Sequence, residues 1–279
     1  MSPTTYGVMQ GRLSPPEDGR FQSFPRAGWQ GEFAMAAVAG FDYIEWIHDD
    51  YGAAVNPIFS DAGLRAFDAL KAEHGIATPA LCGDWFMEFP FVRCTPEQRR
   101  VRVDHLHALI PIAARIGAWR LVLPLVDYST MTTDAEKRIV LDVLAEALPV
   151  GEAHGVELHI EADLAPDDFR DFLARAPHPS LKVNWDSGNS SGLGYIASEE
   201  FDAYGERIGS IHIKDRLRKP DGSVETRPLG TGSADFGDIF AAMRAIGYRG
   251  GVTLQVARGE PGDEVAFLRT QLDFVKRRR

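Results

Sequence analysis

The stretch VELHIEADLAPDDFRDFLARAPHPSLKVNWDSGN (156–189) contains the repeating unit that decides the fold. Two apolar runs typical of β-strands, 156–163 and 181–189, stand on either side of a segment with helical periodicity. Both runs end in carboxylate or amide side chains. The whole chain contains eight such strand-like runs, at 5–10, 41–47, 77–86, 120–127, 156–163, 181–189, 209–215 and 251–257.

The alternation of strands and helical segments predicts parallel strands, because a parallel connection needs a crossover helix. Eight units of about 35 residues fill the chain, and a (β/α)8 TIM barrel needs roughly 250 residues. An open, doubly wound sheet would alternate in the same way, but the count of eight and the lack of an early G-x-G-x-x-G motif favour the barrel. No Pro- or Ser-rich linker divides the sequence, so we expect one α/β domain, residues 1–279.

The composition excludes several classes of function. The chain has 279 residues, of which 44% are hydrophobic, and a net charge of −10. An acidic protein repels phosphate backbones, so we expect no nucleic-acid partner. The sequence has no long apolar run, no signal-peptide pattern and only two cysteines, Cys82 and Cys94. These features predict a cytoplasmic protein with no membrane partner.

Polar side chains follow the apolar part of every predicted strand. The carboxyl ends of barrel strands form one face, and TIM barrels carry their chemistry there. Branched apolar residues normally fill such a barrel, so a full ring of polar residues predicts a functional site, although any single member is equally typical of a solvent-facing loop. The ring consists of Gln10, Arg12, Glu45, Cys82, Asp84, Asp127, Glu161, Asp163, Asn184, Asp186, Asn189, His212, Lys214, Asp215, Gln255 and Arg258.

Three members of the ring have the composition of a metal site. Glu161, Asp186 and His212 lie late in three successive strands, 25 and 26 residues apart. Adjacent strands bring such residues to a common point, and two carboxylates with an imidazole suit Mn²⁺, Co²⁺, Mg²⁺, Fe²⁺ or Zn²⁺. On the next strand, Gln255 occupies the fourth place. His159 lies one layer below Glu161, where we expect a hydrogen-bonded core histidine.

Five motifs follow one another along the chain: GFDYIEWI (40–47), IEAD (160–163), NWDSGN (184–189), HIKDR (212–216) and PLGTGSADF (228–236). Together they resemble the xylose-isomerase-like TIM barrels that act as sugar phosphate isomerases and epimerases. The resemblance implies one divalent metal ion (Mn²⁺, Co²⁺, Mg²⁺ or Zn²⁺) held by Glu161, Asp186, His212 and Gln255. It also implies a small sugar or sugar phosphate as substrate, whose proton the carboxylates move between adjacent carbons through an enediolate-like intermediate.

Two residues depart from the pattern of that family. The fourth ligand there is a glutamate, whereas Gln255 offers an oxygen without a charge and cannot act as a base. The candidates for the second acid–base residue, beside Glu161, are Glu45, Lys214 and Asp215. In the ketose 3-epimerases of the family a histidine stands at the place of Asn189.

These departures leave three functions open. The first is a metal-dependent isomerase or epimerase, an enzyme of class EC 5. The second is a lyase that dehydrates a keto-sugar or an inositol-like substrate, and the third is a barrel that binds a sugar without catalysis. The apurinic endonucleases of the same superfamily use three zinc ions and a histidine-rich site. An acidic chain with His212 as its strand-end histidine does not match them.

Other ring residues are predicted to bind a small carbohydrate substrate: Gln10, Arg12, Asp84, Asn189 and Arg258. The cationic candidates for an anionic group are Arg12, Lys214, Arg216 and Arg258. The loop 11–30 is long, polar and rich in Pro and Gly, so we expect it to shape or cover the pocket. The glycine-rich turn 229–233 is either an anion site or a plain flexible loop. Relatives of this kind often pair, which implies a homo-oligomer.

Overall fold

Eight parallel strands close into a barrel in the computed structural model, which describes residues 4–279. In barrel order they are β1 (Tyr6–Met9), β2 (Tyr43–Ile47), β3 (Ala77–Cys82), β4 (Arg120–Leu125), β5 (Glu157–Ala162), β6 (Leu181–Asp186), β7 (Ile208–Ile213) and β10 (Val252–Leu254). The first strand pairs with the last, with Tyr6 opposite Val252, so the sheet has no free edge. The predicted (β/α)8 barrel is confirmed.

Helices form the outer layer of the barrel. They are α1 (Gly31–Ala39), α2 (Asp61–His74), α3 (Trp85–Glu88), α4 (Pro96–Arg115), α5 (Asp134–His154), α6 (Pro166–Ala174), α7 (Ser187–Leu193), α8 (Ala197–Tyr204), α9 (Phe236–Ala245) and α10 (Glu264–Lys276). Thr95 and Gln98 form a reciprocal capping box at α4, and Thr133 caps α5. Gly40 and Gly75 end α1 and α2 in the left-handed conformation that glycine adopts without strain. Among residues 4–279, no helix combines the length and apolar character needed to cross a bilayer.

The apolar core lies between the strands and the helices, whereas the inside of the barrel is polar. The hydroxyl of Tyr43 lies 3.0 Å from Thr253 Oγ1, which donates to Glu45 Oε2 at 2.8 Å. Gly7 makes room for this layer, because a Cβ at that position would lie 1.9 Å from the Tyr43 ring. The barrel therefore supports its mouth on a floor of hydrogen bonds, where most TIM barrels have branched apolar side chains.

His159 belongs to this floor, as predicted. Its side chain is buried, with Nδ1 2.7 Å from Ser210 Oγ and Nε2 2.9 Å from Glu157 Oε2. Both ring nitrogens thus have partners within the protein. Because side chains alternate along a strand, Glu161 lies one layer higher and reaches the mouth of the barrel.

The chain after β7 differs from the predicted single strand 209–215. It leaves the barrel and forms an antiparallel hairpin of β8 (Asp215–Arg218) and β9 (Val224–Arg227). The stretch PDGS (220–223) between them is a hairpin signal, which strand spacing alone does not reveal. The last barrel strand is also shorter than predicted, since β10 ends at Leu254, although the N–H of Gln255 still donates to the carbonyl of Ile213.

Candidate active site

Three side chains converge at the mouth of the barrel, from the ends of β5, β6 and β7. Glu161, Asp186 and His212 each present one ligand atom, and these atoms lie within 4.8 Å of one another. His212 Nδ1 is 3.4 Å from Glu161 Oε2 and 3.9 Å from Asp186 Oδ2. All three side chains are buried. The structure therefore brings together the three residues that their spacing in the sequence singled out, and we call them the cluster.

Hydrogen bonds from neighbouring groups hold both carboxylates of the cluster. The Glu161 oxygens accept from Asn184 Nδ2 at 2.7 Å and from Asn189 Nδ2 at 2.5 Å. Asp186 Oδ1 accepts the backbone N–H groups of Gly188 and Asn189 at the start of α7. This capping leaves Asp186 Oδ2 directed at His212. Each carboxylate is thus fixed in orientation before anything binds.

His212 is oriented from below by Glu45. Its Nε2 lies 2.9 Å from Glu45 Oε1, which places a proton on Nε2 and leaves Nδ1 facing the carboxylates. Burial lowers the pKa of His212, but Glu45 and Glu161 outweigh burial and raise that pKa to about 10. For Glu45 the effect of burial is to raise the pKa, but the neighbouring His212 and Arg120 outweigh burial and lower the pKa of Glu45 to about 2. An ionised Glu45 therefore holds an imidazole that is cationic until something replaces the proton on Nδ1.

The cluster fits a divalent cation. His212 Nδ1 is buried and has no hydrogen-bond partner in the described part of the chain, which is unfavourable unless the atom binds something else. Ligand atoms around one ion at about 2.1 Å lie about 3–4 Å apart, as the measured separations do. The donor set of two carboxylates and one imidazole suits Mn²⁺, Co²⁺, Mg²⁺ or Zn²⁺. Such an ion would displace the Nδ1 proton of the imidazolium.

Lys214 and Gln255 form the fourth side of the cluster. Lys214 Nζ donates to Gln255 Oε1 at 2.9 Å and lies 3.4 Å from Asp186 Oδ2 and 3.3 Å from Asn189 Oδ1. Three oxygens thus surround the ammonium group, on the side where β10 reaches the cluster. The oxygen of Gln255, which was predicted as the fourth ligand, already accepts one hydrogen bond and keeps one lone pair.

The other wall of the pocket comes from β3 and from the loop between β1 and α1. Gln22 Nε2 donates to Asp84 Oδ2 at 2.7 Å, and Gln22 Oε1 accepts from Gln255 Nε2 at 2.8 Å. Gln22 thereby joins the β3 side of the pocket to the β10 side. Burial raises the pKa of Asp84 to about 6. A cavity of about 160 Å³ remains between the walls, and Glu161 and Lys214 border it together with Asp84 and Gln255.

Glu45, predicted as an acid–base residue, lies below this cavity. Its side chain is fully buried, and besides His212 it contacts Thr253 at 2.8 Å and Arg120 at 3.7 Å. Strand alternation correctly places Glu45 inside the barrel, but one layer too deep to touch a substrate. Its predicted role is corrected to that of a residue that positions His212.

Asp215, another predicted acid–base residue, binds the glycine-rich turn 229–233 through its carboxylate. Its carboxylate accepts four backbone N–H groups, from Gly230, Thr231, Gly232 and Ala234. A Cβ at Gly232 would lie 2.2 Å from Asp215 Oδ1, so only glycine fits there. The catalytic role predicted for Asp215 is therefore wrong, since the side chain fastens this turn. The same contacts use the amides that an anion at the turn would need.

Three residues predicted to bind substrate are engaged within the protein instead: Arg12 and Arg258 hold the loop between β1 and α1, and Gln10 binds β2. Arg12 donates to the Phe21 carbonyl at 2.8 Å and to Gln22 Oε1 at 3.0 Å. Arg258 donates to the same Phe21 carbonyl at 2.9 Å. Gln10 is fully buried and accepts a backbone N–H of β2 at 2.8 Å. These contacts correct the prediction for all three, because none of these side chains borders the cavity.

Phe21 and Gln22 are pocket residues that the sequence did not predict. Both border the cavity from the loop between β1 and α1. The predicted covering role of this loop was the only signal that pointed to them. Arg216 and Thr226 also reach the cavity, from the hairpin that was not predicted.

A larger groove of about 670 Å³ lies outside the barrel, between α7, α8 and the start of α9. Serine hydroxyls and apolar side chains such as Trp185 and Ile239 line much of it. It contains no member of the cluster. The chemistry of the lining, and not the volume, therefore identifies the cavity inside the barrel mouth as the candidate active site.

Comparisons with known proteins agree with the barrel fold. A family profile described as xylose isomerase-like TIM barrel matches residues 33–277. The L-ribulose-5-phosphate 3-epimerase UlaE of Salmonella paratyphi C is 26% identical over 260 residues, which cover 90% of this chain and 89% of UlaE.

Two solved structures are similar to the whole chain. The D-allulose 3-epimerase of Methylomonas sp. in complex with D-allulose superposes with a TM-score of 0.76 at 20% identity, covering 99% of this chain and 97% of the other. The IOLI protein with a binding zinc atom superposes with a TM-score of 0.80 at 17% identity, covering 99% of both chains. At these identities the likeness concerns the fold.

Proposed function

The chain belongs to the xylose isomerase-like TIM barrel family, and we propose that it is a divalent-metal-dependent 3-epimerase of a small ketose or ketose phosphate. The observation that carries this proposal is the buried His212 Nδ1, which has no hydrogen-bond partner in the described chain and faces the carboxylates of Glu161 and Asp186. The name of UlaE, a 3-epimerase of L-ribulose 5-phosphate, supports the choice of reaction.

The residues of the cluster, with Gln255 as a neutral fourth ligand, would hold the metal ion. When bound, the ion would supply Lewis acidity to the carbonyl and the neighbouring hydroxyl of a ketose, which would make the C–H bond of the hydroxyl-bearing carbon acidic. Glu161 borders the cavity and takes the proton from that carbon. Lys214 offers its ammonium group to the oxygen that becomes negatively charged, where a preorganised charge is most effective.

The substrate contacts follow from the same cavity. Asn189 and Lys214 present a side-chain amide and an ammonium group to sugar hydroxyls, and Asp84 accepts hydrogen bonds from them. Arg216 borders the cavity from β8 and supplies a cation for a phosphate group. This cation favours a ketose phosphate over a free ketose as the substrate.

The test of the proposed function is an incubation in D₂O with Mn²⁺ and three probes: L-ribulose 5-phosphate, L-ribulose and D-allulose. We expect formation of the C3 epimer with deuterium at C3, loss of turnover on chelation, and recovery when Mn²⁺ returns. Turnover that survives chelation, or that survives Glu161→Gln, would contradict the proposal.

Two other results would replace it. A dehydrated product without an epimer would favour the lyase, and tight binding of a probe without deuterium exchange would favour a sugar-binding barrel. Sedimentation velocity checks the predicted homo-oligomer, and cell fractionation checks the predicted cytoplasmic location.

A further inference from the structure

The neutral side chain at position 255 leaves one proton transfer without an acid–base group. Gln255 Oε1 accepts from Lys214 and Gln255 Nε2 donates to Gln22, so the orientation of the amide is fixed at both ends. An amide in this arrangement does not exchange a proton at neutral pH. An epimerisation that removes a proton from one face of a carbon and returns it to the other face needs a further group.

A second carboxylate borders the same cavity, one side chain away from Gln255. Asp84 Oδ2 accepts from Gln22 Nε2 at 2.7 Å, and the other amide end of Gln22 binds Gln255. Asp84 Oδ1 lies 3.2 Å from Cys82 Sγ. The residue keeps 9% of its surface exposed, and it borders the same cavity as Glu161. The carboxylate that position 255 lacks is thus present on the neighbouring wall.

The other titratable groups near the cavity are less suitable. Glu45 lies below it and Asp215 is bound by four amides. Lys214 Nζ is already engaged by three oxygens of the protein. Asp127 also borders the cavity, but it is exposed to solvent. Asp84, in contrast, is buried against Gln22 and Cys82. Burial raises the pKa of Asp84 to about 6, so both of its protonation states are accessible near neutral pH.

We propose that Asp84, held by Gln22, is the acid–base residue that works with Glu161 from the other wall of the pocket. This inference rests on the proposed epimerase function. Glu161 accepts the proton of the substrate carbon, and the electron pair of the C–H bond enters the enediolate. Protonated Asp84 then gives its proton to the other face of that carbon, where the electron pair forms the new C–H bond. Proton exchange with water returns Glu161 and Asp84 to their starting states.

The experiment compares two rates in D₂O with Mn²⁺ and L-ribulose 5-phosphate: wash-in of deuterium at C3 and formation of the epimer. We expect Asp84→Asn to lower epimer formation by about 10²–10⁴-fold, the usual effect of removing an acid–base group. Wash-in should continue, because Glu161 still removes and returns a proton on its own face. Glu161→Gln should abolish both rates. Asp163→Asn is the matched control, since that half-buried carboxylate at the end of β5 binds Asp127 N and Thr130 Oγ1 and does not border the cavity.

A rescue variant completes the test. Adding Gln255→Glu to Asp84→Asn returns a carboxylate to the pocket and should restore epimer formation to within about tenfold of the wild type. If D84N does not fold, as judged by its thermal transition, Gln22→Leu replaces it and should lower epimer formation without lowering wash-in. Epimer formation within threefold of the wild type in D84N, or in Gln22→Leu where that variant replaces it, would overturn the assignment of Asp84. Neither rate appearing in the wild type would reject the proposed function itself.

Discussion

The two halves of the barrel mouth carry similar side chains and use them differently. On the β5–β7 half, Glu161, Asp186 and His212 converge, and one buried ligand atom has no hydrogen-bond partner within the described chain. On the β1–β2 half, Arg12 and Glu32 bind backbone and side-chain groups of the loop between β1 and α1. A charged residue at a strand end therefore does not by itself mark a site. What identifies the candidate metal site is that the ligand atoms of three side chains converge on one point.

The largest difference between the two halves is expected when one residue is removed from each and the bound metal is measured. His212→Ala takes away the imidazole ligand, so we expect no bound metal after dialysis and a fall in turnover of about 10³-fold or more. Arg258→Ala loosens the loop but leaves the cluster intact, so the metal content should stay unchanged. Elemental analysis of both variants after dialysis against Mn²⁺ provides the measurement. Equal metal contents would show that the cluster is not the metal site.

Glu45 lies on β2, in the β1–β2 half of the barrel mouth, but it contacts the cluster through His212. Glu45→Gln removes the charge that fixes the imidazole, and we expect Mn²⁺ affinity to fall by about 10–100-fold. Glu157→Gln is a matched control, because it changes a carboxylate–histidine pair of the same 2.9 Å length at His159, away from the cluster. Titration with Mn²⁺ measures both variants. The same loss of affinity in the control would point to a general effect on the barrel floor.

Glu32, on the β1–β2 half, is expected to make the free energy of unfolding depend on pH. Its carboxylate accepts from Gly11 N and Ser14 Oγ, and burial raises its pKa to about 7 from an ordinary value of 4.5. The folded protein keeps a proton that the unfolded chain releases, so the stabilisation is complete below pH 4.5 and is lost as the pH rises through 7. Because of this group, we expect the free energy of unfolding to fall by roughly 2 kcal/mol when the pH rises from 5 to 8.

Urea unfolding of the wild type and of Glu32→Gln at both pH values measures this difference. The variant has no carboxyl at position 32, so its free energy of unfolding should change less with pH. Parallel pH dependences in the two proteins would mean that Glu32 is ionised in the folded state.

The smallest expected effect concerns the boundary between the two halves. Gln255→Glu adds a negative charge beside Lys214, and we expect Mn²⁺ affinity to rise by about tenfold, since Lys214 offsets part of the added attraction. Isothermal titration of Mn²⁺ into wild type and variant measures the change. An unchanged affinity would indicate that residue 255 contacts the ammonium group and not the metal.

The sequence predicts the barrel and the cluster for one physical reason. Parallel strands buried on both faces read as short apolar runs, and their carboxyl ends meet at one face whatever the loops do. The positions of Glu161, Asp186 and His212 follow from strand order alone. The depth of Glu45 does not, because it depends on the register, in which Glu45 pairs with Met9 and Ala80.

The loop residues required a structure for a different reason. Arg12 and Arg258 have long, flexible side chains, so a place at a strand end does not say whether the guanidinium turns to the cavity or to a loop. Gln22 lies in a loop without periodicity, and no sequence pattern predicts that its amide spans the pocket. Asp215 was misplaced because its strand was read as part of β7, whereas it begins the hairpin.

The hydrogen bond from Arg12 Nε to the carbonyl of Val256 joins positions 244 residues apart. A contact between the two ends of a chain closes a loop of nearly full length, which carries the largest entropy cost and forms late in folding. All three cluster residues are synthesised before β10, yet the wall that carries Gln22 is fastened by residues that follow this strand. The pocket is therefore among the last parts of the molecule to be completed on the ribosome. A chain that stops before β10 has the three cluster residues but lacks Gln255 and Arg258, which hold the loop with Gln22.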